Sequence, residues 1–264
     1  MGLFSFNFTS NFGGALIGFF GKYTKYNQII KRNIEVLNLS NEASTNLVKN
    51  NLRETGKVFF EFFSLNKFDW ENINIDNKDI LNEIKSHQGP KIFISAHIGN
   101  WELTRNFILR NGFTLHSVYR HANNEKIDNY IQKSRENDKA FFYKKGSESA
   151  KYMVKALKQN EDLALLIDQR DSSGVEIDFL GRKALATDGF ANLAIKYKTL
   201  ICPVYSIRNN NGVFQIIFEK PMHHDQYKNY DVKELVEVVH KKYFEKWIMH
   251  SPSQWLWVHQ RWKL

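Results

Sequence analysis

Residues 91–119 read KIFISAHIGNWELTRNFILRNGFTLHSVY, and this stretch predicts the fold of the chain. The apolar run Lys91–Ala96 is typical of a short buried strand, and the spacing of apolar residues over Trp101–Leu109 predicts a helix. An Asn-Gly pair ends that helix, and Phe113–Tyr119 then predicts a second strand. A strand, a helix and another strand in this order indicate an α/β fold with parallel strands.

The same alternation continues outside this segment. Ser40 is typical of a helix N-cap, and Asp231 is expected to cap one long final helix. Polar stretches at Asp69–Lys78 and after Ile167 predict loops. Further helices are predicted at Ile80–Lys85, Asn124–Arg135, Ser147–Lys158 and Gly189–Tyr197, and further strands at Ala140–Tyr143, Leu163–Ile167, Leu200–Ile207 and Val213–Phe218. We therefore expect a layered α/β fold, with a central mostly parallel or mixed sheet flanked by helices and an N-terminal helical region.

The composition limits the classes of protein that this chain can belong to. Its 264 residues are 42% hydrophobic and 25% charged, which argues against a disordered chain and against a membrane protein with several spans. The single cysteine, Cys202, excludes an internal disulfide and is expected to be a buried structural thiol. A net charge of +9 and 14% aromatic residues suggest an anionic partner, namely nucleic acid, an acidic protein or an anionic membrane surface.

The segment Phe12–Phe20, FGGALIGFF, is apolar but too short to span a bilayer as a helix, which needs about 20 residues. It is either a buried helix or an anchor at the membrane interface. Lys22, Tyr23, Lys25 and Tyr26 follow at once, and this mixture of basic and aromatic residues favours the interface.

Three polar residues follow predicted strands directly: His97, Arg120 and Asp168. Ligands of α/β folds bind beyond the carboxyl ends of the strands, so these positions are candidates for a site. The turn after His97 can bring the carboxylate of Glu102 onto the imidazole, which would fix the ring tautomer and leave the other nitrogen as a general base. A core histidine beside a glutamate in the first turn of a helix gives the same spacing, and spacing alone leaves both interpretations open.

The segment His97–Glu102 resembles the H-x-G-N-W-E block of the bacterial lipid A biosynthesis acyltransferases, the lauroyl and myristoyl transferases. Three further blocks follow in the order of that family. They are Val118–Arg120 with Arg135 on the next helix, Asp168-Gln169 with the segments 175–181 (VEIDFLG) and 186–189 (ATDG), and Pro252–Lys263 (PSQWLWVHQRWK). The family usually has a longer N-terminal transmembrane anchor than the one that Phe12–Phe20 could form.

The resemblance implies a layered acyltransferase fold and an acyl transfer. His97 would deprotonate a lipid hydroxyl, with Glu102 orienting the imidazole, and the oxygen would attack the thioester of an acyl carrier protein. Arg135 would stabilise the developing charge, and Asp168 would hold either Arg135 or the acceptor lipid. Neither a metal nor another cofactor nor a covalent acyl-enzyme is required.

The remaining matched positions are expected to bind substrate. The backbone N–H groups of Gly99 and Asn100 would bind the oxyanion. The set of substrate-binding residues that the resemblance implies is Gly99, Asn100, Trp101, Arg120, Gln169, Phe179 and Gly181.

The resemblance also implies the partners and the location. The expected partners are acyl carrier protein as donor, a lipid A precursor or another anionic lipid as acceptor, and the membrane surface, but not nucleic acid. We expect a peripheral or shallowly anchored protein on the cytoplasmic face of the inner membrane. Residues 1–65 would form a membrane-interfacial helical region, and residues 66–264 the acyltransferase domain.

Several alternatives stay open on the sequence. The acceptor could be a lysophospholipid or a glycolipid, the same base could activate water in a hydrolase, or the chain could be an inactive, basic protein that binds membranes or nucleic acid. The phenylalanines of Phe59–Phe63 favour core packing over an acyl groove or the membrane edge. Trp255, Trp257 and Trp262 would either anchor the chain at the headgroups or pack on the core. The pair His223 and His224 is not expected to bind a metal without further ligands.

Overall fold

The computed structural model describes residues 4–120, 124–209 and 211–262. Three helices begin this part of the chain: α1 (Phe6–Phe20), α2 (Lys25–Ile34) and α3 (Asn41–Glu61). The Ser40 side chain accepts a hydrogen bond from the backbone N–H of Ala43, so the predicted N-cap of α3 is confirmed. Helices α1 and α3 pack backbone to backbone, because a Cβ on Gly56 would lie 2.3 Å from the carbonyl oxygen of Gly13.

The rest of the chain alternates between strands and helices. In chain order the elements are β1 (Ile73–Asp76), α4 (Lys78–Ser86), β2 (Lys91–Ser95), α5 (Trp101–Arg110), β3 (Leu115–Tyr119), α6 (Glu125–Arg135), β4 (Ala140–Lys144), α7 (Ser147–Lys158), β5 (Asp162–Leu166), β6 (Arg170–Phe179), β7 (Arg182–Ala186), α8 (Gly189–Tyr197), β8 (Leu200–Arg208), β9 (Phe214–Phe218), α9 (His224–Tyr227), α10 (Val232–Val239) and α11 (Lys246–His250).

Seven strands form one central sheet in the order β1-β9-β8-β2-β5-β3-β4. All neighbouring pairs are parallel except β8 and β9, which form an antiparallel hairpin. Helices cover both faces of this sheet, since the two main buried clusters lie on opposite sides of it. The predicted α/β fold, with its mostly parallel sheet and its N-terminal helical region, is confirmed.

Three elements differ from the sequence prediction. Ile73–Asp76 is an edge strand, parallel to β9, where a loop was expected. The polar stretch after β5 forms the antiparallel hairpin β6–β7, in which Ile177 and Phe179 point inward between exposed or half-exposed acidic residues. The capping box of Asp231 confirms the start of the final helix, but a π-helical segment at His240–Glu245 separates α10 from α11.

The aromatic residues at the two ends of the chain have different environments. Trp255, Trp257 and Trp262 are all at most 5% exposed, so packing on the core is confirmed for the C-terminal tryptophans. Phe59 and Phe63 are exposed, and the prediction of core packing is therefore wrong for these two.

The C-terminal segment, residues 251–262, also binds the N-terminal helices. The Asn33 side-chain amide donates to the carbonyls of Trp257 and His259, and the Asn51 amide donates to those of Ser253 and Trp255.

Candidate active site

His97 lies two residues beyond β2, at the carboxyl end of the sheet, in a turn that the C-terminal segment holds. The backbone carbonyl of His97 accepts a hydrogen bond from the N–H of Leu256 at 2.9 Å. Gly99 donates its N–H to the carbonyl of Gln254 at 3.0 Å. Gly99 has a φ of +55°, and a Cβ there would lie 1.8 Å from the carbonyl oxygen of Ser206. The turn therefore requires glycine at this position, for conformation and for space.

The carboxylate that binds His97 is Asp168, which comes from the neighbouring strand. Ser95 at the end of β2 is in register with Leu166 at the end of β5, so the residues two positions further on lie side by side. Asp168 Oδ1 lies 2.7 Å from His97 Nδ1, and Asp168 Oδ2 accepts the backbone N–H of His97 at 2.9 Å. The indole N–H of Trp255 also donates to Oδ2, at 2.7 Å.

These contacts determine the protonation of the pair. Burial would raise the pKa of Asp168, but the contacts with His97 and Trp255 outweigh it and lower the pKa to about 2. An ionised carboxylate only accepts hydrogen bonds, so Nδ1 of His97 carries a proton, and in the neutral imidazole the lone pair is then on Nε2. The side-chain amide nitrogen of Gln169 lies 3.4 Å from Nε2. The arrangement suits Nε2 for work as a general base.

Glu102 does not contact His97, so the predicted pairing of these two residues is wrong. Helix α5 begins at Trp101, and Glu102 in its first turn faces two arginines. Arg135 at the end of α6 donates to both carboxylate oxygens of Glu102, and Arg105 lies 3.3 Å from Oε2. Burial would raise the pKa of Glu102, but the charges of Arg105 and Arg135 outweigh it and hold the pKa below its usual range.

Two further contacts differ from the prediction. Asp168 does not hold Arg135, because its oxygens bind His97 and Trp255, and the alternative contact with the acceptor lipid stays a prediction. The backbone N–H groups of Gly99 and Asn100 are not free for an oxyanion, since the N–H of Asn100 donates to Ser206 Oγ at 3.1 Å and that of Gly99 binds the C-terminal segment. The Asn100 side chain caps α5 and donates to the buried carboxylate of Glu61 at 2.7 Å. These two residues thus shape the turn.

His97 and the Glu102 cluster line one cavity of about 660 Å³. One part of its wall is polar and carries more basic than acidic groups: Arg105, Arg120, Arg135, Lys145 and Arg170 face Glu102, Asp128 and Asp171. Another part is apolar and lies between the sheet and the helices: Phe93, Ile108, Ile131, Ala164, Leu165 and Val204. A cavity of this kind can hold an amphiphile, with its polar end beside His97.

The structure separates the predicted substrate-binding residues into two groups. Trp101, Arg120 and Gln169 line the cavity, and the Trp101 ring lies edge-on to the imidazole of His97. Phe179 is fully buried against Trp255 and Trp262, away from the cavity wall. Gly181, at a φ of +75°, forms the turn of the β6–β7 hairpin. Neither residue is part of the cavity wall, and their substrate contacts stay a prediction.

A comparison with known protein families decides the relationship that the motifs suggested. Residues 1–264 match the model of the family described as bacterial lipid A biosynthesis acyltransferase. The chain belongs to this family. Membership makes the protein an acyltransferase of lipid A biosynthesis, with a lipid acceptor, and it confirms the resemblance carried by the four sequence blocks. No curated protein matched the chain.

The C-terminal block of the motif, Pro252–Lys263, also contacts the site, which was not predicted from the sequence. Trp255 binds Asp168, and the ring of His259 accepts the backbone N–H of Arg170 at 3.2 Å. Lys263, the last residue quoted for that block, lies outside the described residues. The aromatic and basic pattern of the block does not predict the hydrogen bond to Asp168. A buried indole N–H usually has a hydrogen-bond acceptor, and the residue type alone does not identify which one.

Two further residues beside the site were also missed. Arg105 is nearly buried, lines the cavity and stacks on Phe142. Glu61 is fully buried and binds Ser10 of α1, Asn100 and Arg208. A lone glutamate within the apolar run Val58–Leu65 was the available signal for Glu61, since a charge in such a run needs buried partners.

The predicted histidine pair, His223 and His224, lies at the start of α9. His223 lies on the surface and contacts Glu83 at 3.0 Å. Within residues 4–120, 124–209 and 211–262 no group of three or more His, Cys, Asp or Glu side chains is placed to hold a metal ion. Cys202 is fully buried, and burial raises the pKa of its thiol well above the usual value, as a structural thiol requires.

Proposed function

We propose that the protein transfers a fatty acyl chain from the thioester of an acyl carrier protein to a hydroxyl of a lipid A precursor, with His97 as general base. The observation that carries this proposal is the contact of 2.7 Å between His97 Nδ1 and Asp168, at the wall of a cavity with polar and apolar parts. A positioned base contributes roughly 10²–10⁴-fold to such a reaction, because an unassisted hydroxyl is a weak nucleophile.

The steps follow from the tautomer of His97. Nε2 takes the proton of the acceptor hydroxyl as its oxygen attacks the thioester carbonyl carbon, and Asp168 stabilises the imidazolium that forms. The tetrahedral oxyanion then collapses, the carbon–sulfur bond breaks, and the thiolate takes the proton from Nε2. The products are an ester and the free thiol of the carrier. In this proposal Asp168 has the orienting role that the motif spacing assigned to Glu102.

The basic residues of the cavity support an anionic acceptor. Arg120 and Arg170 line the cavity, and neither has an acidic side chain within 4.0 Å among the residues that the structure covers. Their guanidinium groups would bind phosphates of the lipid, for which paired donors are well suited. Glu102 would hold Arg105 and Arg135 in place at the same wall.

The N-terminal helices support a membrane-interfacial region over residues 1–65. Phe8, Phe12, Phe19 and Phe20 of α1 are each at least 50% exposed, and Lys22 stacks on the ring of Phe19. Exposed apolar surface of this kind is typical of contact with a partner or a lipid surface. In the part of the chain that the structure describes, no helix is long and apolar enough to cross a bilayer. The exposed phenylalanines of α1 support our proposal of a peripheral protein on the cytoplasmic face of the inner membrane.

Acyl transfer can be tested directly with a radiolabelled acyl carrier protein thioester and purified lipids. We expect labelled ester on a lipid A precursor, and a loss of at least 100-fold in kcat for His97→Ala. His223→Ala is the matched control, because His223 also contacts a carboxylate but lies on the surface and does not line the cavity. Unchanged transfer by His97→Ala would overturn the mechanism.

The same assay separates the alternative functions. Product on a lysophospholipid but not on a lipid A precursor would move the acceptor to the other lipid class. Release of free fatty acid without any acceptor would indicate a hydrolase. Binding to lipid without turnover on any donor would indicate a protein without catalytic activity.

Membrane contact has its own test with vesicles of phosphatidylethanolamine and phosphatidylglycerol. We expect the protein to co-float with these vesicles, and Phe12→Ser/Phe19→Ser to reduce the bound fraction several-fold. Met249→Ser is the control, because Met249 is 60% exposed on α11. Equal binding by all three proteins would contradict the interfacial role of α1.

A further inference from the structure

The positive charge of the chain is concentrated in one short segment. Residues 139–158, which contain β4 and α7, hold six lysines and one glutamate, a net charge of +5 against +9 for the whole chain. Three of these lysines, Lys151, Lys155 and Lys158, are spaced by four and three residues on α7 and therefore lie along one face of the helix. We call these three residues the lysine stripe.

The lysine stripe is exposed and lacks neutralising partners. All three side chains belong to exposed residues, and none has a carboxylate within 4.0 Å in the part of the chain that the structure covers. The opposite face of α7 packs inward, with Ser149, Ala156 and Leu157 buried. Uncompensated charge along one helix face raises the local concentration of an anionic partner and its rate of association.

Helix α7 separates the lysine stripe from the candidate active site. Ser149 and Met153, on the opposite face of this helix, line the cavity, as do Lys145 and Gly146 in the turn that precedes it. A protein bound to the stripe would therefore lie about one helix diameter, roughly 10 Å, from the wall of the cavity that contains His97. A donor carried on a flexible arm could reach His97 from there without release of its carrier.

We propose that the lysine stripe of α7 is the docking surface for the acidic carrier protein that delivers the acyl thioester. This inference rests on the proposed function, because it assumes a protein-bound donor. Acyl carrier proteins are acidic, so an acidic helix of the carrier laid along α7 would match three lysines at helical spacing. The surface is almost entirely polar, as is typical of a contact in which charge sets the rate of association.

A lipid surface suits the stripe less well than a protein. The exposed phenylalanines cluster on α1 and at the end of α3, whereas α7 packs against β3, β4, β5 and α8. Phe141 of β4 is 40% exposed, but its ring stacks on that of His116. Tyr152, which is exposed on α7 next to Lys151, stacks on Tyr143. Interfacial helices are stabilised by apolar side chains that insert into the bilayer, and the exposed face of α7 offers few such side chains.

The decisive experiment reverses the charge of the lysine stripe and compares this variant with a matched control. The test variant is Lys151→Glu/Lys155→Glu/Lys158→Glu. The control is Lys78→Glu/Lys85→Glu/Lys220→Glu, which changes the net charge equally at exposed lysines on α4 and after β9. Binding of the carrier protein is measured by titration calorimetry, and kcat/KM is measured with the carrier-bound donor and with the N-acetylcysteamine thioester of the same acyl chain.

For the test variant we expect at least a tenfold loss of carrier affinity and of kcat/KM with the carrier-bound donor. We expect less than a twofold change with the small thioester, and a difference that fades in 0.5 M NaCl because salt screens exposed charges. The control should lose less than twofold with either donor.

Three results would overturn the docking surface: equal losses in both variants, an equal loss with the small thioester, or an unchanged affinity for the carrier. Loss of binding to phosphatidylglycerol vesicles with unchanged carrier binding would assign the stripe to the membrane and overturn the proposal as well. Failure of the proposed function is distinguishable, since it would appear in the wild type as an absence of transfer from every thioester, while carrier binding is measured without turnover.

Discussion

Asp168 and Glu102 are both buried carboxylates beside the same cavity, yet they have different partners. Asp168 binds one imidazole and one indole, whereas Glu102 binds two guanidinium groups. Glu102 follows His97 by five positions and Asp168 follows it by 71, but strand pairing brings the distant carboxylate into contact. The register of β2 and β5, and not the spacing within the motif, therefore selects the partner of the histidine.

We expect the largest effect from a substitution at Asp168. In Asp168→Asn the amide no longer stabilises the imidazolium or fixes the tautomer, so we expect kcat to fall by about 10³-fold with a small change in KM. Steady-state kinetics with the carrier-bound donor measure both. Asp171→Asn is the control, because Asp171 lies at the same cavity but pairs with the exposed Lys145. A loss below tenfold in Asp168→Asn would contradict the orienting role.

The corresponding change at Glu102 should mainly affect stability. Glu102→Gln leaves Arg105 and Arg135 without their shared buried counter-ion, which costs about 3 kcal/mol of unfolding free energy. The midpoint of thermal unfolding should fall by about 6–12 °C. Glu237→Gln, which removes a surface pair with Lys241, should cost less than about 1 kcal/mol. Equal midpoints for Glu102→Gln and the wild type would show that the two arginines need no counter-ion.

The low pKa of Asp168 predicts a particular acid dependence. Its folded-state pKa of about 2 lies below the unfolded value, so the ionised carboxylate stabilises the fold above about pH 4. This stability, about 2 kcal/mol, is lost as the pH falls through the folded pKa. Urea unfolding of the wild type and Asp168→Asn should therefore differ most above pH 4 and converge towards pH 2. A constant difference across this range would contradict the assignment.

Removing the hydrogen bond from Trp255 to Asp168 should have a smaller effect on kcat than replacing Asp168 itself. Trp255→Phe keeps an aromatic ring in the core but removes the N–H that donates to Asp168 Oδ2. We expect a loss of about tenfold in kcat, equivalent to about 1.4 kcal/mol, and a rise in the pKa of Asp168. Trp257→Phe is the matched control, since its indole N–H donates to the backbone carbonyl of Pro252 instead. Equal losses in the two variants would indicate a general packing effect.

Much of the fold could be predicted from the sequence, because its elements carry local signals. Apolar runs such as Leu163–Ile167 and caps such as Ser40 depend on neighbours in the chain. The hairpin β6–β7 was missed because acidic residues between Val175, Ile177 and Phe179 resemble a polar loop until one face is known to be buried. Strand β1 was missed because it has only four residues at the edge of the sheet.

The site was only partly predictable for a related reason. The sequence places His97, Arg120 and Asp168 after strands, but the order of strands in the sheet decides which of them meet. Only the adjacency of β2 and β5 brings Asp168 to His97. The N–H groups of Gly99 and Asn100 are likewise occupied by partners from the C-terminal segment and from β8, more than 100 residues away in the chain.

The tautomer of His97 shows directly whether Asp168 or Glu102 orients the imidazole. Nitrogen-15 NMR of the histidine side chains, with His97→Gln used to assign the resonances, distinguishes a proton on Nδ1 from one on Nε2. We expect the Nδ1–H form above neutral pH in the wild type and in Glu102→Gln, and a mixture of the two tautomers in Asp168→Asn. A mixture in Glu102→Gln together with an unchanged Nδ1–H form in Asp168→Asn would show that Glu102 orients the histidine and would contradict this account.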